Sequence, residues 1–279
     1  MVESSTVLRE LDADGLLTLT LNRPERHNAW NIEMEATLHD MLERASLDPE
    51  VRVVLLTGAG RSFCPGLDSE DLDRASQPGQ SIDHPARRPV VLPALVAKPV
   101  VCAINGACAG LGLITALASD VRFAADEAKI TTAFARRGLP AEQAIGWLLP
   151  RIVGHAVALE LLLSSRVVLG SEAAQLGLVH RSVPGEELLP AARAYARDIA
   201  ANCSPIAMAT VKRQVYQDWE RGIAESYSDA VQLVGVLRDG STDFREGVRS
   251  FVEKRPAQFS PFGAPVDHDR FPGYVRAGT

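Results

Sequence analysis

The sequence predicts an α/β fold in which buried strands alternate with helices and lead into a helical C-terminal region. Leu16–Leu21 (LLTLTL) alternates leucine with threonine, which is typical of a strand. Val51–Thr57 and Pro99–Ile104 are short apolar runs rich in valine and isoleucine, which favour strands buried on both faces. Amphipathic helices are predicted towards the C-terminus over Glu187–Asn202, Pro205–Arg221 and Glu225–Leu237.

The composition limits the class of protein. A chain of 279 residues is long enough for one large domain, or for a core with a small appendage. With 46% hydrophobic and 23% charged residues, wholesale disorder is excluded. The net charge of −6 disfavours binding to nucleic acid or to an anionic membrane, since both require a positive field. The polar N-terminus does not resemble a signal peptide, and we expect a cytoplasmic protein.

The four cysteines form no CxxC pair and have no histidine cluster at zinc spacing, so no metal site is predicted. Between the strands, Asn31 is expected to cap a helix, and a further helix is predicted over Ala141–Leu149. Ser69–His84 is polar and is predicted to be a mobile surface loop. We divide the chain into a core over residues 1–200, a helical region over 201–259 and a loosely held tail over 260–279.

Two predicted strands lead into glycine turns. Phe63–Asp68 (FCPGLD) follows the first, and Asn105–Gly112 (NGACAGLG) follows the second and opens a helix. Glycine turns allow backbone N–H groups to face a cleft without obstruction, and two converging N–H groups form an oxyanion hole. Such turns also arise from close backbone packing alone. Gly110-Leu111-Gly112 lacks the lysine of a phosphate-binding loop.

Five segments, in order and over nearly all of residues 15–259, resemble the motifs of the crotonase (enoyl-CoA hydratase/isomerase) family. They are Leu21–Trp30 (LNRPERHNAW, similar to LNRPxxxNAL), Val53–Asp68 (VVLLTGAGRSFCPGLD, similar to VVLTGxGxxFxAGxD), Lys98–Asp120 (KPVVCAINGACAGLGLITALASD, similar to KPVIAAVNGxAxGGGxxLAxxxD), Ser164–Pro184 (similar to LTGxxxxAxEAxxxGLVxxVVP) and Asp243–Phe259 (DFREGVRSFVEKRPAQF, similar to DxxEGxxAFxEKRxPxF).

The resemblance implies a spiral of ββα turns, followed by a helical region that makes trimers, often paired into hexamers. It implies an acyl-CoA thioester as substrate, so that CoA arrives with the substrate and no separate cofactor is expected. By their positions in the motifs, Leu67 and Leu111 supply the two N–H groups of the oxyanion hole, and Gly66 and Gly110 adjoin the substrate. Negative charge that moves onto the thioester oxygen when the α-carbon loses a proton is stabilised there.

The acid/base residues depart from the family pattern. A hydratase of this family carries one glutamate two residues after its GGG motif and another four residues before the glycine that corresponds to Gly138. These positions are Ile114 and Phe134, neither of which moves a proton, and we expect them to form an apolar wall of the substrate site. Glu142 resembles the single acid/base residue that some enoyl-CoA isomerases carry in a GLxPD/E stretch. It also lies where it would cap the following helix, and both roles are compatible.

Further residues are predicted to contact the CoA moiety or the site entrance. Arg26, Asn28 and Ala29 stand where the family holds the nucleotide, the first as a basic side chain and the others through backbone groups. Lys254 matches a C-terminal lysine that in the family lies near the CoA of the same or a neighbouring subunit. Asp68 either lines the entrance or is structural. For the charged residues, the alternative is a solvated surface position.

Three functions follow from these observations. The first is isomerisation of the double bond of an enoyl-CoA with one carboxylate, Glu142, moving the proton. The second is hydration of a 2-enoyl-CoA, with Glu142 alone positioning the water. The third, from a different class, is a catalytically degenerate member that binds acyl-CoA or acts as a scaffold.

Overall fold

The computed structural model describes residues 5–77 and 88–266 and contains the predicted alternation of strands and helices. The strands are β1 (Val7–Leu11), β2 (Leu16–Leu21), β3 (Val53–Gly58), β4 (Ser62–Cys64), β5 (Val100–Ile104), β6 (Ala107–Ala109), β7 (Val121–Ala125), β8 (Lys129–Thr131), β9 (Val168–Leu169) and β10 (Arg181–Val183). The α-helices are α1 (Ile32–Leu47), α2 (Ser69–Ser76), α3 (Leu111–Leu117), α4 (Ile145–Val153), α5 (His155–Ser164), α6 (Gly170–Gln175), α7 (Gly185–Asn202), α8 (Pro205–Asp218), α9 (Ile223–Gly240) and α10 (Asp243–Glu253).

The strands form two sheets that the chain visits alternately. The larger sheet has the order β1-β2-β3-β5-β7-β10, with β1 antiparallel to β2 and the remaining neighbours parallel. The smaller has the order β4-β6-β8-β9, in which β4, β6 and β8 are parallel. Each pass therefore places a long strand in the first sheet and a short strand in the second before a helix or a helical turn follows. Three such passes stack along the sheets and confirm the predicted α/β class.

The core lies between the sheets and the helices packed on them. All six residues of β3 are buried, as the run of β-branched and apolar residues predicts. Helix α1 begins where expected, because the side chain of Asn31 accepts a hydrogen bond from the Met34 N–H at 2.9 Å. Helix α7 packs on β3, β5 and β7. The predicted core boundary at residue 200 thus falls inside a helix that belongs to the core.

Two local predictions are corrected. Ser69–Ser76, expected to be part of a loop, forms α2, because Asp68 accepts a hydrogen bond from the Glu70 N–H and caps the helix. The rest of that predicted loop, from residue 78 onward, lies outside the described residues. The helix predicted from Ala141 begins at Ile145 instead, with Ala144 as the N-cap in a left-handed conformation.

The predicted tail is held to the core over its described part. The backbone N–H of Ala264 donates to the Ser46 carbonyl at 2.9 Å, and the Ser46 hydroxyl donates to the Ala264 carbonyl at 2.7 Å. The buried Lys98 ammonium donates to the Phe262 carbonyl. Residues 260–266 are therefore anchored to α1 and to the start of β5, and the remainder of the tail lies outside the described residues. The described helices are all too short or too polar to serve as a membrane-spanning segment.

Candidate active site

A cavity of about 910 Å³ opens beside the carboxyl ends of β4, β6 and β8. Because these strands are parallel neighbours, the residues that follow them emerge at one edge of the smaller sheet, where ligands commonly bind in such folds. The lining residues are Pro65, Gly66, Leu67, Leu72, Ala75, Ser76, Gly110, Leu111, Thr132, Ala133, Phe134, Arg137, Leu139, Pro140, Ala141, Glu142 and Gln143. The glycine turns predicted to form one site thus meet at one cavity.

Leu67 is held by a one-residue parallel bridge to Trp30. The Trp30 N–H donates to the Gly66 carbonyl at 2.7 Å, and the Asp68 N–H donates to the Trp30 carbonyl at 2.8 Å. Successive N–H groups of an extended backbone point in opposite directions, so the N–H of Leu67 points away from Trp30. Within residues 5–77 and 88–266, no observed hydrogen bond takes the N–H of Leu67 as its donor.

Leu111 is the first residue of α3, and its N–H therefore precedes the intrahelical hydrogen bonds. No acceptor for this N–H occurs among the hydrogen bonds of the described residues. Gly66 and Gly110 have φ values of 101° and 50°, which favour glycine, and a Cβ atom on Gly110 would lie 3.7 Å from the Cα atom of Gly66. The two turns are therefore in contact, and both amides remain available at the cavity.

Another part of the cavity lining carries the candidate acid/base residue. Glu142 lies in the loop before α4, where its carbonyl accepts a hydrogen bond from the Ile145 N–H at 3.0 Å. It thus precedes the helix by three residues, rather than lying in its first turn as predicted. Phe134 is buried and contributes an apolar surface. Ala133 and Gln143 have φ values of 66° and 47°. Such left-handed conformations in residues other than glycine are strained and cluster at functional sites.

Two of the residues predicted for the acyl site or its entrance lie outside the cavity lining. Ile114 is fully buried in α3 and packs in the core. Asp68 caps α2 and forms an ion pair with Arg23 at 3.1 Å. These contacts agree with the structural role, which was one of the two roles considered for Asp68. Although burial by itself raises the pKa of Asp68, the hydrogen bonds from the Glu70 N–H and from Arg23 outweigh it and hold that pKa below its ordinary value.

The residues predicted to hold the nucleotide are engaged within the fold. The Asn28 side chain is buried, accepts from the Arg23 N–H at 2.8 Å and donates to the carbonyls of Ala59 and Ser62. The N–H groups of Asn28 and Ala29 donate to the carbonyls of Arg23 and Arg26. These contacts fix the turn that precedes Trp30, and the binding role predicted for its backbone stays a prediction.

The two predicted cations lie apart from the cavity. Arg26 is half exposed and pairs with Glu70 at 2.9 Å, so its guanidinium spans the surface between the 3-10 turn Pro24–Arg26 and α2. Lys254 is exposed and ends α10 in a left-handed conformation, with φ of 53°. Neither residue lines the cavity of this chain, and their predicted contacts with CoA stay predictions.

Some residues of the site were missed by the sequence reasoning. Leu72 and Ala75 of α2 form an apolar wall, which was missed because this segment was predicted to be a loop. Arg137 lines the cavity beside Gly138, and its guanidinium makes a 3.4 Å hydrogen bond to the Ala133 carbonyl. The sequence signal that could have identified Arg137 is its position three residues after Phe134, which was itself predicted to line the site.

Comparisons with known proteins agree with the motifs. The family model described as enoyl-CoA hydratase/isomerase matches residues 12–261. The 1,2-epoxyphenylacetyl-CoA isomerase of Escherichia coli (strain K12) is 37% identical over 251 residues, which are 88% of this chain and 95% of that protein. A probable enoyl-CoA hydratase of Rhodobacter capsulatus is 37% identical over 252 residues, which are 89% of this chain and 95% of that protein.

Solved structures share the fold. A probable enoyl-CoA hydratase/isomerase from Mycobacterium abscessus superposes with a TM-score of 0.82 at 30% identity, covering 92% of this chain and 99% of that one. An enoyl-CoA hydratase from Bacillus anthracis gives a TM-score of 0.84 at 27% identity, covering 91% and 99% respectively. The predicted spiral α/β fold with a helical C-terminal region is confirmed.

Proposed function

The chain belongs to the enoyl-CoA hydratase/isomerase family, and from this premise we propose that it shifts a double bond within an acyl-CoA thioester. Glu142 moves the proton, and the amides of Leu67 and Leu111 hold the thioester oxygen. One observation carries the proposal: among the described residues that line the cavity, Glu142 is the single carboxylate, and the same cavity is lined by the two residues whose N–H groups are available.

The proposed reaction needs one base and one oxyanion site. The Glu142 carboxylate takes a proton from C2 of a 3-enoyl-CoA, and the electron pair of that bond passes through the thioester to its oxygen. The two amides stabilise the resulting dienolate. The protonated Glu142 then returns the proton to C4, the double bond lies between C2 and C3, and no atom is gained or lost. Phe134 at the second carboxylate position leaves no second group to handle water.

Hydration is the second candidate, and it is favoured by the name of one relative. The protein from Rhodobacter capsulatus, which is as similar as the isomerase from Escherichia coli, is called a probable enoyl-CoA hydratase. In this alternative, Glu142 alone positions a water molecule for addition to C3 of a 2-enoyl-CoA. Both reactions place negative charge on the thioester oxygen at the amides. In isomerisation the proton taken from C2 returns to C4, whereas in hydration the water gives its hydroxyl to C3 and a proton to C2.

The experiment incubates the protein with a 3-enoyl-CoA and, separately, with a 2-enoyl-CoA of the same chain length. We expect the conjugated thioester absorbance to grow with the first substrate, and no 3-hydroxyacyl-CoA to form from the second. The variant Glu142→Gln keeps the shape of the side chain and removes the base, and we expect a loss of about 10²–10⁴-fold in rate.

Glu187→Gln is the matched control, because Glu187 is exposed in the first turn of α7 and does not line the cavity. Full activity of Glu142→Gln would remove the proposed base. Formation of 3-hydroxyacyl-CoA from the 2-enoyl substrate would favour hydration. Absence of both reactions, with retained binding of the acyl-CoA, would support a degenerate binding protein.

We also propose that the helical C-terminal region assembles the chain into a trimer or hexamer. Helix α9 has no buried residue, and its apolar side chains are exposed, with Ile223 at 90% and Tyr227 at 71%. Phe251 of α10 is 84% exposed. Apolar surface of this extent is typical of a protein interface. Light scattering should give a multiple of the 30.0 kDa chain mass, whereas a monomer would contradict the proposal.

A further inference from the structure

We propose that Arg23 is a positioning residue for the Leu67 amide, because its one guanidinium joins the two backbone segments that flank the Trp30–Leu67 bridge. This inference rests on the proposed function, in which the Leu67 N–H faces the thioester oxygen. Arg23 does not line the cavity, so it acts on the reaction only through residues that it holds in place, and Leu67 lies in the lining directly beside its partner Asp68.

The bridge itself gives Leu67 few constraints. Two hydrogen bonds hold it, both made by its neighbours Gly66 and Asp68 to Trp30. On the N-terminal side lies Gly66 with φ of 101°, a conformation that glycine enters and leaves with little cost. A rotation about this bridge would turn the Leu67 N–H without breaking the strands behind it. A further contact is therefore needed to fix its direction.

Arg23 supplies contacts on both sides of the bridge. Its Nη1 donates to the Ala29 carbonyl at 2.5 Å, directly before Trp30. Its Nη2 pairs with Asp68 Oδ2 at 3.1 Å, directly after Leu67. The side chain of Arg23 is 15% exposed and that of Asp68 is 8% exposed, so water competes little for these contacts. The rigid guanidinium sets the spacing between the two segments, which a lysine ammonium would not do.

The position of Arg23 is itself fixed by its neighbours. Its N–H donates to Asn28 Oδ1, and its carbonyl accepts from the Asn28 N–H, both at 2.8 Å. Asn28 in turn binds the carbonyls of Ala59 and Ser62, at the turn between β3 and β4. Through Asn28, the backbone of Arg23 is thus held in a fixed position relative to β4, the strand that leads into the Leu67 turn. Displacement of an oxyanion donor by about 1 Å is enough to weaken catalysis strongly.

The test compares Arg23→Gln with Arg88→Gln, since the chain offers a matched buried arginine. Arg88 is 7% exposed, pairs with Asp40 and Glu43, donates to the Ala36 carbonyl at 2.8 Å, and does not line the cavity. Both substitutions remove a buried guanidinium that joins a carbonyl to a carboxylate. We expect both to lower stability, and only Arg23→Gln to lower kcat, by about 10-fold to 10²-fold with KM nearly unchanged.

A binding readout keeps the inference separate from proton transfer by Glu142. Acetoacetyl-CoA ionises to an enolate that needs the amides and no base, and free CoA reports the remaining contacts. We expect Arg23→Gln to weaken the binding of acetoacetyl-CoA by about 10-fold or more and to leave the affinity for free CoA unchanged. The same result is expected when Glu142→Gln is also present. Loss of activity in Glu142→Gln alone tests the proposed function, whereas the acetoacetyl-CoA ratio tests Arg23.

Asp68→Asn is the second variant, because the amide oxygen can still accept from the Glu70 N–H and cap α2 while the charge is lost. If Arg23 acts through Asp68, the variant that carries both Arg23→Gln and Asp68→Asn should lose no more affinity for acetoacetyl-CoA than the more affected of the two single variants. Equal acetoacetyl-CoA to CoA affinity ratios in wild type, Arg23→Gln and Asp68→Asn would overturn the inference. So would an equal fall of kcat in Arg23→Gln and Arg88→Gln, which would indicate stability alone.

Discussion

The two walls of the cavity are built by different means. The wall with the Leu67 and Leu111 amides follows strands whose last residues, Cys64 and Ala109, are buried, and each turn begins within three residues of its strand. Burial raises the pKa of the Cys64 thiol to about 12, which marks how thoroughly water is excluded behind this wall.

The wall with Glu142 is less enclosed. Its residues from 135 to 141 are exposed, and it contains residues other than glycine in left-handed conformations at Ala133, Gln143 and Ala144. Such positions each cost about 1 kcal/mol or more and persist only when their surroundings determine them. In the proposed mechanism, the amides that stabilise the enolate therefore adjoin the core of the fold. The proposed base, Glu142, lies on this less enclosed segment, outside that core.

This contrast explains how one fold accommodates different reactions. The relatives from Escherichia coli and Rhodobacter capsulatus are equally similar to this chain and are named as an isomerase and a probable hydratase. The backbone amides survive substitution by any residue except proline, since leucine and glycine both carry an N–H. Under the proposed mechanism, substitutions at Phe134 or Glu142, which line the cavity, would alter the chemistry directly.

Among changes to the enclosed wall, the largest expected effect comes from removing an amide. Leu111 is the first residue of α3, where proline is accepted because its missing N–H has no intrahelical partner. Leu111→Pro should therefore keep the fold and lower kcat by about 10²–10³-fold. Steady-state rates with a 3-enoyl-CoA and far-UV circular dichroism measure both effects.

Leu111→Ala is the control for Leu111→Pro, because it loses apolar contacts but keeps the N–H. Equal rates of the proline and alanine variants, with both folded, would show that the Leu111 amide does not hold the oxygen. The comparison of the two walls would then lose its electrostatic basis.

A smaller effect should follow from adding a carboxylate to the other wall. Phe134 lines the cavity, so Phe134→Glu adds a second acid/base group to the lining that contains the amides. We expect 3-hydroxyacyl-CoA to form from a 2-enoyl-CoA at least about 10-fold faster than in wild type, below the full effect of an evolved acid/base residue. Phe134→Gln has the same polarity and cannot move the proton, and equal hydration by both variants would contradict the prediction. Ile114→Glu should unfold the protein instead, because that side chain is fully buried.

Sequence reasoning succeeded where local pattern and structure coincide. The turns that carry Leu67 and Leu111 follow apolar strands and contain glycine at the left-handed positions Gly66 and Gly110, so both were identified before the fold was known. Asn31 was identified as a cap for the same reason, since its partner lies three residues away. All the residues that define such a turn or cap lie within a few positions of one another, so the sequence alone is enough to predict it.

The features that were missed depend on distant contacts or on unusual backbone. Lys98 and Ser46 hold the segment around residue 263 across more than 150 positions, so the C-terminal composition alone suggested a loose tail. Helix α4 begins after Ala144, a residue that gives no capping signal. The contact between Arg23 and Asp68 joins two motifs 45 positions apart, and only the folded backbone shows that it flanks Leu67.

The smallest expected effect is on the free energy of unfolding at acidic pH. It depends on Asp68, which adjoins Leu67 in the enclosed wall. The pKa of Asp68 is lowered in the folded protein, so its contribution to stability is present above the unfolded value of about 3.9 and is lost as pH falls through the folded pKa. Denaturant unfolding should show wild type more stable than Asp68→Asn by about 1 kcal/mol at neutral pH, with the gap closing below about pH 4.

Asp71→Asn provides the control within α2, because its ion pair is made at 3.5 Å to Arg74, whose side chain is 60% exposed, and its loss should change stability less than the loss of the Asp68 pair. A gap between wild type and Asp68→Asn that persists at the lowest pH would mean that the ion pair is not its source. Since Asp68 stays ionised above about pH 5, the enclosed wall does not titrate there through this group. An inflection of kcat between about pH 5 and pH 8 that is the same in wild type and Asp68→Asn must then come from elsewhere, and Glu142→Gln tests whether the exposed wall is its origin.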